Sequence, residues 1–313
     1  MMITKAVLAA LQTSVSTIFA GAYRDTPTPV DTLATVVSSS HSIETYGWMQ
    51  RLFAMREWIG PRVKQGLQTQ SYVLKNKSFE ATLAVDKEEI EDDSLGLFEP
   101  RAKELGRIAA RIWFQLLVDA LAVAGTTGLG FDGLSLLNDS HPLNPAGVQD
   151  NKNLGSANLS RAMTEAGMVA NQVQINTVVN AMRNFTGEDG RFLGVTPTHL
   201  IVSPLNEMAA RQAVGGGVTM PGGGTNVFAG FLQVLVIPEL ANVAGGEAWY
   251  VADLSAPIKP LILQKRKEVE LVSKTSLTDD NVFWQREFVW GVDCRGVAGY
   301  GPWWLIASGF AAP

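Results

Sequence analysis

The chain has 313 residues, of which 46% are hydrophobic and 18% charged, and its formal net charge is −5. That length holds one large domain or two ordinary ones with ample core, and the acidic balance excludes a protein whose main task is gripping nucleic-acid backbone. The single cysteine, Cys294, excludes an intrachain disulfide and any multi-cysteine metal site.

From the N-terminus, Ile3, Val7, Leu8, Leu11, Val15, Ile18 and Phe19 recur at helical spacing, which predicts an amphipathic helix ending near Gly21. Gln12, Thr13, Ser14 and Ser16 interrupt it, so it is not a secretion signal. No apolar run approaches a membrane span. Residues 23–40 are polar and marked by Pro27 and Pro29, and read as an extended arm. An arm of that kind carries its helix to a neighbour or to an inner surface. Tyr46, Trp48, Phe53 and Trp58 then read as packing residues.

Gly60-Pro61 breaks that segment and launches a long hairpin. Phe79, Ala81, Leu83 and Val85 share one face of a strand, with Glu80 and Thr82 on the other. Lys75-Asn76-Lys77-Ser78 stands where the turn is expected. Such a hairpin is marginal alone and needs a surface to lie on. Charge is segregated along it. Residues 51–79 hold six basic side chains against Glu57, and residues 86–93 hold six acids against Lys87. Opposite blocks of this kind pair between copies or form solvated faces of one copy.

Next comes the strongest helical pattern, residues 98–124, with Leu105, Ile108, Ala109, Ile112, Trp113, Leu116, Leu117, Ala120 and Leu121 in one stripe and Gly125 as its stop. Residues 126–155 read as loop, and 159–185 as helix broken near Gly167 or Gln172. Strands are expected at 198–203, 231–237, 248–252, 258–264, 269–274, 282–292 and 303–307, with a helix behind Pro204. Helices and strands interleave without a repeat, which predicts an α+β fold.

Chemistry is sparse. His41, His141 and His199 are the histidines, and no G-x-S-x-G elbow accompanies them. A hydrolase built on His141 or His199 is the weakest functional reading. Cys294 reads as a core cysteine. Asn138, Asp139 and His141, or Glu88, Glu91 and Asp92, lack diagnostic metal spacing, so no metal or cofactor is expected. The glycine-rich run at 215–224 lacks the G-K-[ST] ending of a phosphate loop. Arm, hairpin, strut helix and glycine loop are architectural features, and they point to a self-assembling structural protein.

At Arg56-Glu57-Trp58-Ile59-Gly60, along the run from Tyr72 through Leu74-Lys75-Asn76-Lys77-Ser78-Phe79-Glu80 to Asp86, and at Ile90-Glu91-Asp92-Asp93, the sequence resembles the Mu-like phage and prophage major head subunits. Phe131-Asp132-Gly133, Asp139-Ser140-His141-Pro142 and Pro197-Thr198-His199-Leu200-Ile201-Val202 match more weakly, so the likeness spans roughly residues 40 to 240. It implies the tailed-phage and herpesvirus capsid fold: an arm at 1–60, an extended loop at 61–94, a peripheral domain with its spine helix at 95–130 and 261–300, and an axial domain at 131–260, joined by 301–313. It also implies pentamers and hexamers of an icosahedral shell that encloses double-stranded DNA, with scaffold, portal and cement or decoration proteins as partners and no membrane. Assembly would take place in the host cytoplasm, with noncovalent locking of the virion capsid. Arg62, Lys64, Lys75 and Lys77 would meet Glu88, Glu91, Asp92 and Asp93 of a neighbour, while Tyr72, Leu74 and Phe79 supply apolar contact. Gly215, Gly216, Gly217, Gly222, Gly223 and Gly224 would approach the capsomer axis. An encapsulin-like compartment shell of the same fold is the alternative.

Overall fold

Two four-stranded sheets and the helices laid on them make up the structure, a computed structural model that describes residues 5–49, 69–92, 98–144, 147–155, 157–187, 190–215, 226, 228–276 and 278–310. The chain opens with α1 (Lys5–Asp25), a short α2 (Val30–Leu33) and β1 (Ala34–Ser38). A hairpin follows, β2 (Ile43–Met49) with β3 (Thr69–Lys75), and then β4 (Lys77–Asp86), α3 (Lys87–Asp92) and α4 (Phe98–Ala122). A small ribbon, β5 (His141–Asn144) with β6 (Gly147–Gln149), precedes α5 (Glu165–Arg183), β7 (His199–Val202), α6 (Glu207–Val214), β8 (Gln233–Val236) and β9 (Trp249–Ala252). The chain returns through β10 (Leu261–Lys274), α7 (Asp280–Gln285), β11 (Glu287–Tyr300) and β12 (Ile306–Ser308).

The first sheet runs β1-β10-β11-β4. Along β11, Phe288, Trp290, Val292 and Cys294 point to one side and are buried. With Ala81, Leu83, Val269 and Leu271 from the flanking strands they form the floor on which α1 and α4 lie. Phe19 and Leu105 close that layer from the helix side. The two helices cross at Gly106, where an added Cβ would stand 2.7 Å from the Phe19 carbonyl oxygen and 2.9 Å from Ala22 Cβ. Only a residue without a side chain permits so close a crossing.

The second sheet runs β12-β9-β7-β8 and packs against α5 and α6. Thr164 caps α5, its hydroxyl accepting from the Gly167 amide at 3.2 Å. This cap explains why the helix begins at Glu165 rather than near residue 159. The two sheets share one large core, to which α4 contributes Trp113, Phe114, Leu117, Val118 and Leu121.

Three expectations need correction. Helix α1 is not held away on an arm: Leu8, Val15, Phe19 and Ala22 are buried against its own chain. Its apolar stripe is answered at home by α4 and the sheet floor. The arm itself ends as β1, paired in parallel with β10 from Ala34↔Leu261 to Ser38↔Lys265. Third, Lys75-Asn76-Lys77-Ser78 is not a hairpin tip. β2 and β3 pair from Ile43↔Lys75 to Met49↔Thr69, so the hairpin's far end falls within residues 50–68, outside the described residues. β4 pairs instead with β11, from Glu287↔Asp86 to Gly296↔Lys77. The alternation along β4 is as expected, but its partner strand lies about two hundred residues downstream, where local pattern carries no information.

Candidate assembly surfaces

The hairpin leaves the body at residues 75–77, and a polar cluster fixes that root. Asn76 is buried, and its amide nitrogen donates to the His41 carbonyl at 2.8 Å and to Ser39 Oγ at 3.1 Å. Gln264 Nε2 donates to Asn76 Oδ1 at 2.7 Å, and the Tyr46 hydroxyl donates to Gln264 Oε1 at 2.7 Å. Beside them, Glu44 accepts from the His41 and Ser40 amides and from the Ser39 hydroxyl. The backbone donors at His41 and Ser40 do most to lower its carboxyl, to about 2.

Antiparallel pairing sets which hairpin residues share a side. Tyr72 and Leu74 face inward and are buried. The Tyr72 hydroxyl accepts the Tyr300 amide at 3.0 Å, and burial pushes that phenol's pKa upward. Leu74 lies over Gly299, where a Cβ would come within 2.6 Å of Leu74 Cδ1. Tyr72 and Leu74 therefore anchor the hairpin to its own subunit, which corrects the expectation that they reach a neighbour. Phe79 is half-buried against the same core. The opposite side of the hairpin presents Ile43, Thr45, Val73 and Lys75, with Ile43 48% and Val73 51% exposed. Reading the sequence missed Ile43 and Val73 because β3 carries an apolar residue on each face, Val73 on one and Tyr72 and Leu74 on the other. A one-residue choice of register then exchanges the sides. Tyr72→Phe removes the acceptor and leaves a buried backbone N–H, so unfolding free energy should fall by about 1–3 kcal/mol in urea titrations. An unchanged midpoint would show that the bond contributes nothing.

The charged candidates divide in three. Lys75 and Lys77 are exposed, and neither forms an ion pair with a described residue. Glu88 reaches Arg286 at 3.3 Å, and the neighbouring Glu89 reaches Arg101 at 3.1 Å. Both bridges are exposed, of a kind that typically contributes under about 1 kcal/mol, so Glu88 stays available to a partner. Arg62, Lys64, Asp93, Gly216, Gly217, Gly222, Gly223 and Gly224 lie outside the described residues, as do the side chains of Glu91 and Asp92. Gly215 caps the end of α6, and the next strand along the chain is β8, an edge strand of the second sheet.

The histidines offer no catalytic arrangement. The His141 side chain is fully buried, with Nδ1 2.6 Å from Asp132 Oδ2, Nε2 3.2 Å from Asn151 Oδ1, and the ring stacked on Trp303 at 4.1 Å. Both ring nitrogens are engaged and the ring has no route to a substrate, which overturns a hydrolase built on His141. His199 Nδ1 lies 2.8 Å from Thr198 Oγ1, and burial lowers its pKa. Cys294 is a buried strand residue whose thiol burial pushes up to about 11. Among the described residues no cluster of ligating side chains suits a metal ion, and no helix is long and apolar enough to cross a membrane.

The architecture matches that of phage heads. The procapsid of bacteriophage JBD30 superposes with a TM-score of 0.58 at 28% identity, covering 99% of this chain and 77% of that one. The major capsid protein of Escherichia phage Mu is 29% identical over 312 residues, 98% of this chain and 75% of its own length. The Mu-like prophage FluMu major head subunit of Haemophilus influenzae is 24% identical over 277 residues, 88% of this chain and 64% of its own length. The family model for the Mu-like prophage major head subunit gpT matches residues 8–170, 147–240 and 238–310, and the chain therefore belongs to that family of structural head proteins.

Proposed function

We propose that copies of this major head subunit join as pentamers and hexamers of an icosahedral shell around double-stranded DNA, each hairpin lying over the neighbouring copy. One observation carries the reading. The β2–β3 ribbon pairs with neither four-stranded sheet, is held to its own subunit through Tyr72, Leu74 and the Asn76 cluster, and turns Ile43, Val73 and Lys75 outward. A two-stranded ribbon with an exposed apolar side needs a further surface to be stable. The neighbour's sheet supplies it in this reading, with apolar contact giving most of the affinity and charge setting the register.

In the same reading, the β1-β10-β11-β4 sheet with α4 as spine is the peripheral domain, and the β12-β9-β7-β8 sheet with α5 and α6 is the axial domain. The glycine loop after Gly215 approaches the capsomer axis, where glycine adapts one loop to fivefold and sixfold surroundings. The net charge of −5 supports holding DNA by enclosure rather than by tight contact. Scaffold, portal and cement or decoration proteins complete the assembly in the host cytoplasm.

Lys75→Glu with Lys77→Glu tests the charge register. Both side chains are exposed, so the isolated subunit should keep its circular dichroism and melting temperature. Like charges placed opposite one another cost several kcal/mol, so joining should weaken at least about tenfold. Sedimentation would then show free subunits or capsomers in place of shells. Normal shells from the double variant would overturn the proposed pairing.

A further inference from the structure

Gln264 of β10 is fully buried, and both ends of its amide reach toward the ribbon. Its Nε2 donates to Asn76 Oδ1 and its Oε1 accepts from the Tyr46 hydroxyl, each at 2.7 Å. On either side of it in the sheet, β1 and β11 place Val37 and Val297, which bring no charge. Lys265, its neighbour in β10, lies instead over the Trp113 ring.

One atom settles the direction of these bonds. The His41 carbonyl can only accept, so the Asn76 nitrogen must face it, at 2.8 Å. Asn76 Oδ1 is thereby turned to Gln264, which must answer with its nitrogen. Gln264 Oε1 is left for the Tyr46 hydroxyl, and burial raises that phenol's pKa, so it keeps its proton to give. At the other end, Asn76 Nδ2 also donates to Ser39 Oγ at 3.1 Å, and the Ser39 hydroxyl donates to Glu44 Oε1 at 2.9 Å. The chain of bonds thus starts on β2 at Tyr46 and returns to β2 at Glu44. Hydrogen bonds in such a series polarise one another, and a reversed member sets two acceptors face to face in a buried site. Tyr72 and Leu74 fasten β3 to the body, whereas this chain also takes hold of β2.

We propose that Gln264 and Asn76 are positioning residues for assembly: the one-way chain from Tyr46 to Glu44 clamps both strands of the ribbon and fixes the angle at which it leaves its subunit. A ribbon held through β3 alone can rock about that strand. Held through both strands at one base, it cannot. A ribbon that arrives at one angle loses less freedom when it lies over a neighbour, so the clamp favours joining without touching the partner. The inference rests on the shell-forming reading above.

Gln264→Glu tests it, because the change keeps the shape and reverses one bond. At about pH 8 the introduced carboxylate meets Asn76 Oδ1, acceptor against acceptor. At about pH 5.5 burial among acceptors returns a proton to it, and the acid again donates to Asn76 and accepts from Tyr46. The cluster's own titratable groups are Tyr46, Glu44, which backbone donors at His41 and Ser40 lower to about 2, and His41, whose ring lies 3.4 Å from Glu44. The wild type is therefore measured at both pH values beside the variant. Spin labels on full-length subunits carrying Thr45→Cys with Asp119→Cys report the ribbon's angle as a spread of distances, the native Cys294 being buried. In the variant at about pH 8 that spread should widen. Hydrogen exchange of the Asn76 amide, which donates to the Ser42 carbonyl at 3.1 Å, should quicken about tenfold, and shell yield should fall by a similar factor. All three should return to wild-type values at the acid pH. Tyr46→Phe adds no charge and should widen the spread at both pH values, which decides the matter if the carboxylate variant does not fold. An unchanged spread in either variant, or a loss that acid does not reverse in Gln264→Glu, would overturn the proposal. A widened spread with normal shells would refute the clamp's part in joining. If the wild type itself built no shells, the shell-forming reading would fall, and the labelled subunits would still decide whether the ribbon is clamped.

Discussion

His141→Ala should lower the unfolding free energy by about 3–5 kcal/mol, enough to remove most soluble protein at 37 °C. The ring fills a site with no solvent contact and lies flat on Trp303. Removing it leaves a void and strands the Asp132 carboxylate, whose side chain is 5% exposed, without its 2.6 Å partner. Asn151 would lose its contact with the ring at 3.2 Å as well. Its amide nitrogen donates to the carbonyls of Leu136, Trp303 and Ile306, so its oxygen is the atom turned to His141 and to the Asn138 amide. The cluster thus ties the 126–155 loop to the last strand of the second sheet. Chemical denaturation measures the effect directly, and a variant as stable as the wild type would show that the cluster is not a stabilising clasp.

Gly106→Leu should release α1. Its Cβ alone would meet backbone at 2.7 Å, and a full side chain has nowhere to go between two helices already in contact. Overpacking of this kind costs about 1–3 kcal/mol. Here the strain has a local outlet, because α1 can detach while α4 stays in the core. The expected signature is protease cleavage within Lys5–Asp25 at enzyme levels that leave the wild-type chain whole, with only a modest fall in the main melting transition. Protection equal to that of the wild type would contradict the idea that this crossing holds the helix down.

Much of the local structure is legible in the residues. The stripe along α4, the alternation along β4, the α5 region and the strand before Pro204 all follow from period and punctuation, and the resemblance carries the fold and the role. What is not legible depends on partners far away in the chain. An arm segment of ordinary polarity becomes β1 because β10 offers an open edge. Lys75-Asn76-Lys77 reads as a turn because its composition is turn-like, yet Asn76 is buried and bonded to Gln264, the Ser39 hydroxyl and the His41 carbonyl. The inward and outward sides of β3 are exchanged in a reading of the sequence because Tyr72 and Leu74 are no more apolar than a surface strand of a shell protein needs. Only Tyr300 and Gly299 decide the matter.

That last dependence has a kinetic side. The hairpin's root is gripped by residues near position 300, so a nascent chain carries its ribbon unfastened until those residues have been made. β4 likewise waits for β11, and β1 for β10. Closing such distant pairings is slow and comes late in folding. Chains not yet translated past position 300 therefore lack a seated ribbon.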